Sequence, residues 1–151
     1  MNKIRKLLPI ILTVLIIGLI YSFFHISGLE IKKVNKLADA KNVTVIIRNE
    51  TKGENTELIL DAEQKKLLQK LLKENSYKRR LSSTIIGVLP GNEYTILADW
   101  NDNGKTHLYM KILGNEYIRF SDYLGTENYH KIKNSEFEKE LISILNIWRD
   151  K

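Results

Sequence analysis

Residues 92–121 read NEYTILADWNDNGKTHLYMKILGNEYIRFS, and this stretch decides the fold. Apolar side chains recur at every second position on both sides of the polar run 101–104, which is typical of a β-hairpin. Gly114 and Asn115 predict a second turn, after which residues 116–121 return as a third strand. Three consecutive strands of this kind predict an antiparallel meander. The positions predicted to share faces are Tyr94, Ile96, Ala98 and Trp100 on one strand, and Leu108, Met110 and Ile112 on the next.

The residues before the meander predict a hairpin and a helix. Val43, Val45 and Ile47 alternate with more polar neighbours, and residues 56–60 have the composition of a returning strand. Asp61 followed by Gln64 is a capping box, which predicts a helix over residues 61–73. Its apolar stripe is predicted to bury four leucines: Leu67, Leu68, Leu71 and Leu72.

A second helix is predicted at the C-terminal end of the chain. Ser135 and Glu138 have the spacing of a capping box, and the helical stripe that follows consists of Phe137, Leu141, Ile144, Leu145 and Trp148. Together these elements predict an α+β domain over residues 43–151. We expect an antiparallel sheet of about five strands with two helices packed on one face.

The N-terminal residues read as a membrane anchor. From residue 7 to residue 26 the only polar side chains are Thr13, Tyr21, Ser22 and His25. Twenty residues of helix cover about 30 Å, the thickness of a hydrocarbon core. Ala38 and Ala40 have the spacing of a peptidase site but lie too far beyond the apolar run, so an uncleaved anchor is favoured over a cleaved signal peptide. We predict an anchor over residues 1–26 and a polar stalk over residues 27–42.

The charge distribution bears on location and on partners. Residues 1–42 hold seven Lys or Arg against two acidic residues, whereas residues 43–151 hold 17 against 16, so the net charge of +6 divides into +5 and +1. Because the domain itself is nearly neutral, nucleic-acid binding is not predicted. Lys3, Arg5 and Lys6 lie closer to the apolar run than the four lysines that follow it. This asymmetry favours a single-pass cell-membrane protein with an extracytoplasmic C-terminal domain.

Side chains suited to metal binding or catalysis do not form a convincing set. The absence of cysteine excludes disulfides and thiol chemistry. Asp99, Asn101, Asn103 and Gly104 match the start of a calcium loop, but its twelfth position is Met110 where a glutamate is required, so a polar turn is favoured. His107 and His130 have no partners that the sequence can place. We therefore predict no cofactor, no metal and no enzymatic activity.

Two groups of residues are candidate binding sites. Lys78, Arg79 and Arg80 follow a lysine-rich helix, and residues 61–80 carry seven basic against three acidic side chains. This cluster could bind an acidic envelope protein or an anionic polymer, although a solvated face is the simpler interpretation. Tyr117, Tyr123 and Tyr129 could line a groove for a peptide or glycan, and packing against the sheet is the alternative.

The order of parts resembles a family of small, uncharacterised, membrane-anchored proteins of low-GC Gram-positive bacteria. The parts that carry the resemblance are the anchor, Val43 to Ile47, the helix from Asp61 to Lys73, Lys78 to Ser82, and Leu108, Tyr109, Gly114, Asn115, Tyr117, Tyr123, Gly125 and Tyr129. The chain departs from it at Phe120, Ser121 and Asp122, where a tyrosine and proline pair is expected. The resemblance implies an architecture and a membrane location, and it implies no activity.

These observations favour a membrane-anchored, extracytoplasmic binding module that interacts with an envelope protein or polymer. Two alternatives stay open. One is an immunity or inhibitor protein that acts at the membrane. The other is an envelope hydrolase that uses a polar cluster around His107 or His130.

Overall fold

The computed structural model describes residues 9–19, 25–27, 34–49, 55–79, 92–101, 108–121 and 129–146. Three α-helices lie in these ranges: α1 (residues 9–19), α2 (Ala62–Glu74) and α3 (Phe137–Leu145). A 3-10 helix covers Val34–Asp39. The strands are β1 (His25–Ser27), β2 (Asn42–Asn49), β3 (Asn55–Ile59), β4 (Ser76–Arg79), β5 (Asn92–Asp99), β6 (Leu108–Leu113), β7 (Tyr117–Ser121) and β8 (Tyr129–Ile132).

The strands form one antiparallel sheet in the order β1-β4-β8-β7-β6-β5-β2-β3. This confirms the α+β class, the β2–β3 hairpin and the meander of β5, β6 and β7. Within the described ranges the sheet already has eight strands, so the prediction of about five was wrong. The strands that the sequence did not predict, β1, β4 and β8, have only three or four residues each. Such short segments contain too few alternating positions to show a period of two.

One face of the sheet, which we call the inner face, carries the core. Every second residue of the long strands is buried there, and paired strands keep the pattern in register because residues directly opposite each other point to the same side. The leucines of α2 and the apolar stripe of α3 belong to the same cluster. The buried inward positions on the sheet are Val43, Val45, Ile47, Tyr77, Tyr94, Ile96, Ala98, Leu108, Met110, Ile112, Ile118, Phe120 and Ile132.

Helix α2 begins as its sequence predicts. The Asp61 carboxylate accepts the Gln64 N–H at 2.8 Å, and the Gln64 side chain accepts the Asp61 N–H at 3.1 Å, which confirms the capping box. Leu68, Leu71 and Leu72 are buried, whereas Leu67 is 42% exposed, so the prediction for Leu67 was wrong. Three leucines per two turns already fill the stripe that faces the sheet.

Helix α3 is held at its start by the sheet. The residue that precedes it is Glu136, whose side chain makes no capping bond, so the predicted capping box of Ser135 and Glu138 was wrong. The Asn115 side-chain oxygen, in the β6–β7 turn, instead accepts the Glu138 N–H at 2.6 Å. Gly114, beside it, has a φ of 50°, a left-handed conformation that glycine adopts without strain. The turn therefore stabilises α3 across 23 residues of sequence separation.

A buried tyrosine links α3 to the sheet a second time. The Tyr94 hydroxyl donates to a Glu138 carboxylate oxygen at 3.0 Å and accepts from the Asn92 amide at 3.2 Å. The phenol ring lies wholly in the core. Because a buried hydroxyl without a partner is costly, this polar contact stabilises the position of α3 over β5.

The predicted stalk is partly a core element. Val34, Leu37 and Ala40 are buried in the domain, and the 3-10 helix that holds the first two lies against α2. Gln69 accepts the Ala38 N–H at 2.7 Å, and the Lys65 ammonium donates to the Ala40 carbonyl at 2.7 Å. An apolar residue at every third position fits the three-residue period of a 3-10 helix. The folded domain therefore begins upstream of residue 43.

The N-terminal helix α1 is apolar and does not pack against the domain. All residues from 9 to 19 are exposed, and the Thr13 hydroxyl donates to the Pro9 carbonyl at 2.9 Å. Within the ranges that the structure describes, no helix has both the length and the apolar character needed to cross a membrane. The predicted anchor extended to residue 26. In the structure, residues 25–27 form strand β1, which pairs with β4.

Candidate functional site

The basic cluster lies on strand β4, next to strand β8. Lys78 pairs with Lys131, and Arg79 pairs with His130, while Arg80 lies outside the described residues. Lys78 and Lys131 are both exposed. Since residues directly opposite in an antiparallel pair point to the same side, two lysines stand together on the outer face of the sheet, away from the helices. The sequence did not single out Lys131.

The predicted tyrosine groove falls on the same outer face. Tyr117 on β7 pairs with Lys131, and Tyr129 on β8 pairs with Arg119, whereas Tyr123 is outside the described part of the chain. The Arg119 guanidinium carbon lies 5.5 Å from the centre of the Tyr129 ring, which is a cation–π contact. Tyr129 is 9% exposed and Tyr117 is half-buried. Lys78 of the basic cluster therefore lies on the same face as Tyr117 and Tyr129, across strands β4, β8 and β7.

We call this combined surface the cationic outer patch and define it as Lys78, Lys131, Arg119 and Tyr117, with the buried Tyr129 ring packed against Arg119. None of the described outward positions of β4, β8 and β7 is acidic. On the neighbouring strand β6, Lys111 is neutralised by Glu93 on β5, with 2.8 Å between the ammonium and the carboxylate. The patch itself holds the basic side chains of two lysines and an arginine, and one half-buried phenol ring. This combination suits a ligand that carries several carboxylate or phosphate groups.

The pairing of Lys78 with Lys131 is unfavourable for the isolated sheet. Like charges directly opposite each other on one face repel and destabilise the strand pair. No described carboxylate makes an ion pair with either ammonium group. Residues whose local interactions destabilise a fold tend to occur at functional sites. The patch is therefore the strongest candidate for a binding site.

The lysines of α2 are not part of this surface. Helix α2 packs on the inner face through its buried leucines, and Lys66, Lys70 and Lys73 are exposed beyond it. Lys65 is bonded to the Ala40 carbonyl and has a structural role. The excess of basic residues predicted for 61–80 is thus divided between opposite sides of the sheet.

His130 lies on strand β8, although the sequence placed it in a loop. Its register places it on the inner face, where its ring meets Phe120 edge-on at 6.1 Å between centres. His107 is not among the described residues. No cluster of three His, Asp or Glu side chains with metal-binding geometry occurs within the described ranges. His130 therefore packs beside an aromatic ring on the inner face.

The calcium-like sequence takes the form of a turn where it is described. The Asp99 carboxylate accepts the Asn101 N–H at 3.1 Å, which is a bond typical of turns. Met110, at the position where a calcium loop needs its glutamate, is buried in the core. Asn103 and Gly104 lie outside the described residues.

Comparisons with protein-family models, curated proteins and solved structures found no match to the chain. The resemblance to membrane-anchored Gram-positive proteins stays a prediction.

Proposed function

We propose that the chain is a membrane-anchored, extracytoplasmic binding module that holds an anionic ligand on the cationic outer patch. The observation that carries this proposal is the pairing of Lys78 with Lys131 on the outer face. A multivalent anion between the two ammonium groups would turn their repulsion into attraction. Arg119 and Tyr117 extend the surface on the neighbouring strand β7.

The proposed anchor is supported by α1. Its large apolar side chains are 48 to 70% exposed, so none is covered by the described part of the domain. A helix that is hydrophobic all round belongs in an apolar environment. The Thr13 hydroxyl, bonded to a carbonyl one turn earlier, places no unsatisfied donor on that surface. Lys3, Arg5 and Lys6 would then lie at the cytoplasmic end.

Topology is tested in cells that make the full chain with a reporter fused after Lys151. A reporter that is active only outside the cytoplasm should be active, and the fusion should sediment with membranes. If a cytoplasmic reporter is active in its place, the proposed orientation is reversed. If the fusion stays in the soluble fraction, the proposed anchor is wrong.

Ligand binding is tested on the full chain in nanodiscs of neutral phosphatidylcholine, with fluorescent polyphosphate as the probe. We expect the double variant Lys78→Gln/Lys131→Gln to weaken binding by about tenfold or more, which corresponds to about 1.4 kcal/mol. Fluorescence anisotropy titrations at low and high salt measure the affinity. The parent should also lose affinity as salt rises, since the contact is electrostatic.

The matched control is Lys66→Gln/Lys70→Gln, which removes the same net charge from the exposed side of α2. It should leave polyphosphate affinity within about twofold of the parent, because those lysines lie on the other side of the sheet. The patch variant should unfold at the same temperature as the parent or higher, since a like-charge pair is gone. Equal losses of affinity in both variants would contradict a localised site.

A further inference from the structure

Strand β1 connects the N-terminal helix directly to the cationic outer patch. It begins at His25, six residues after the last described residue of α1, and it pairs with β4 so that His25 is opposite Lys78. Six residues of fully extended chain span at most about 20 Å. Strands are about 4.8 Å apart. The backbone of Lys78 therefore lies within about 25 Å of the end of α1, and no long stalk separates the helix from the sheet.

The patch residues nearest to β1 form one row across the sheet. The pairings place His25, Lys78, Lys131 and Tyr117 side by side on four neighbouring strands. At about 4.8 Å per strand this row is about 14 Å long. It starts at the strand through which the chain enters from α1. Its three outward side chains on β4, β8 and β7 are two lysines and a tyrosine.

We propose that the ligand of the cationic outer patch is the anionic headgroup layer of the membrane that holds α1. This inference rests on the proposed function and specifies its ligand. The row lies at the right distance from the anchor, and lysine and tyrosine are the side chains that interact favourably with a membrane interface. Phosphate groups between Lys78 and Lys131 relieve their repulsion. The β1 edge of the outer face then lies against the bilayer, with β3 at the opposite edge of the sheet farther from it and with α2 and α3 turned away.

The lipid composition sets the strength of this contact. Each lysine near a surface rich in anionic lipid strengthens the attachment by about fivefold, and the effect falls off within a Debye length. A neutral membrane gives no such attraction, so the domain is released from the surface while α1 stays inserted. A soluble phosphate polymer presents the same chemistry, and it competes with the headgroups for the patch.

The test uses the full chain with single cysteine labels, since the native sequence contains no cysteine. A fluorophore is attached to Ser76→Cys, an exposed position on β4 two residues from Lys78, and separately to Glu57→Cys, an exposed position on β3 at the far edge of the sheet. Each labelled protein is reconstituted in phosphatidylcholine vesicles, either without anionic lipid or with about 30% phosphatidylglycerol. A lipid that carries a headgroup quencher reports the approach of the label to the membrane.

In vesicles with phosphatidylglycerol we expect quenching at position 76 to exceed quenching at position 57 by about threefold. The difference should disappear in neutral vesicles, in about 1 M salt, and in the Lys78→Gln/Lys131→Gln background. The difference in quenching should persist in the Lys66→Gln/Lys70→Gln background. Equal quenching at the two positions in anionic vesicles would overturn the lipid inference.

Vesicle flotation and polyphosphate binding distinguish a failure of the lipid inference from a failure of the proposed function. If the protein floats with vesicles and binds polyphosphate through the patch, but position 76 is not quenched, the binding module stands and its ligand is a soluble anion. If the protein does not float with vesicles, the anchor is wrong and the lipid inference falls with it. If polyphosphate binding does not depend on Lys78 and Lys131, the patch itself is wrong.

Discussion

Replacing Leu37 with alanine should lower the free energy of unfolding by about 3 kcal/mol. The side chain is fully buried in the core, in a 3-10 helix that packs against α2 and within a segment whose polar composition predicts a stalk. Truncation removes its transfer free energy and leaves a cavity, because the bonds from α2 to Ala38 and Ala40 hold the backbone in place. If Leu37 were an exposed residue of a stalk, its replacement by alanine would leave the free energy of unfolding almost unchanged.

Urea denaturation of the full chain in detergent measures this loss. Trp100 is a suitable reporter, since its indole N–H donates to the Lys36 carbonyl at 3.1 Å and so reports directly on the 3-10 helix. The control is Lys36→Ala, an exposed neighbour in the same helix, which should change stability by less than about 0.5 kcal/mol. Equal and small effects of the two substitutions would show that the segment does not belong to the core.

Stability should also fall steeply in alkali because two phenols are buried. Burial raises the pKa of both Tyr77 and Tyr94, and for Tyr94 the nearby Glu138 carboxylate adds to the increase. A raised pKa in the folded state means that the protonated phenol is favoured there. The contribution of each tyrosine is complete below pH 10, the ordinary pKa, and is lost as the pH rises from there towards the folded-state value.

We expect the two tyrosines together to remove about 2 kcal/mol of stability between pH 9 and pH 11. Urea denaturation at a series of pH values measures the slope. Tyr77→Phe should lose the hydrogen bond to the Leu72 carbonyl, which costs about 1 kcal/mol at pH 7, and should show a shallower decline in alkali. Tyr94→Phe should behave in the same way. Parallel curves for the parent and both variants would exclude the buried phenols as the cause.

Much of the sheet was predictable because long strands alternate clearly. The β5, β6 and β7 meander, the β2–β3 hairpin and the capped start of α2 all follow from periodicity and from residues within one or two turns of each other. In the described sheet the errors fell on the short strands. They also fell on the start of α3, where the capping group is Asn115 from a distant turn. A local pattern cannot show a partner 23 residues away.

The candidate site was predictable only in pieces. Lys78 and the tyrosines at 117 and 129 are visible in the sequence as a basic cluster and an aromatic group, and each has a plausible solvated or packing role. Lys131 and Arg119 gain their meaning only through cross-strand pairing. Antiparallel register brings residues 53 positions apart, Lys78 and Lys131, side by side.

The sequence by itself determined the α+β class, the apolar character of the N-terminal helix, the meander and the cap of α2, since each depends on the spacing of neighbouring side chains. Only the tertiary structure decided that residues 34–40 enter the core and that β1 forms the sheet edge. Only the tertiary structure brought Lys78, Lys131, Arg119 and Tyr117 together in one outer patch. The physical reason is that pairing register and burial depend on contacts between residues far apart in the chain, and no local period encodes them.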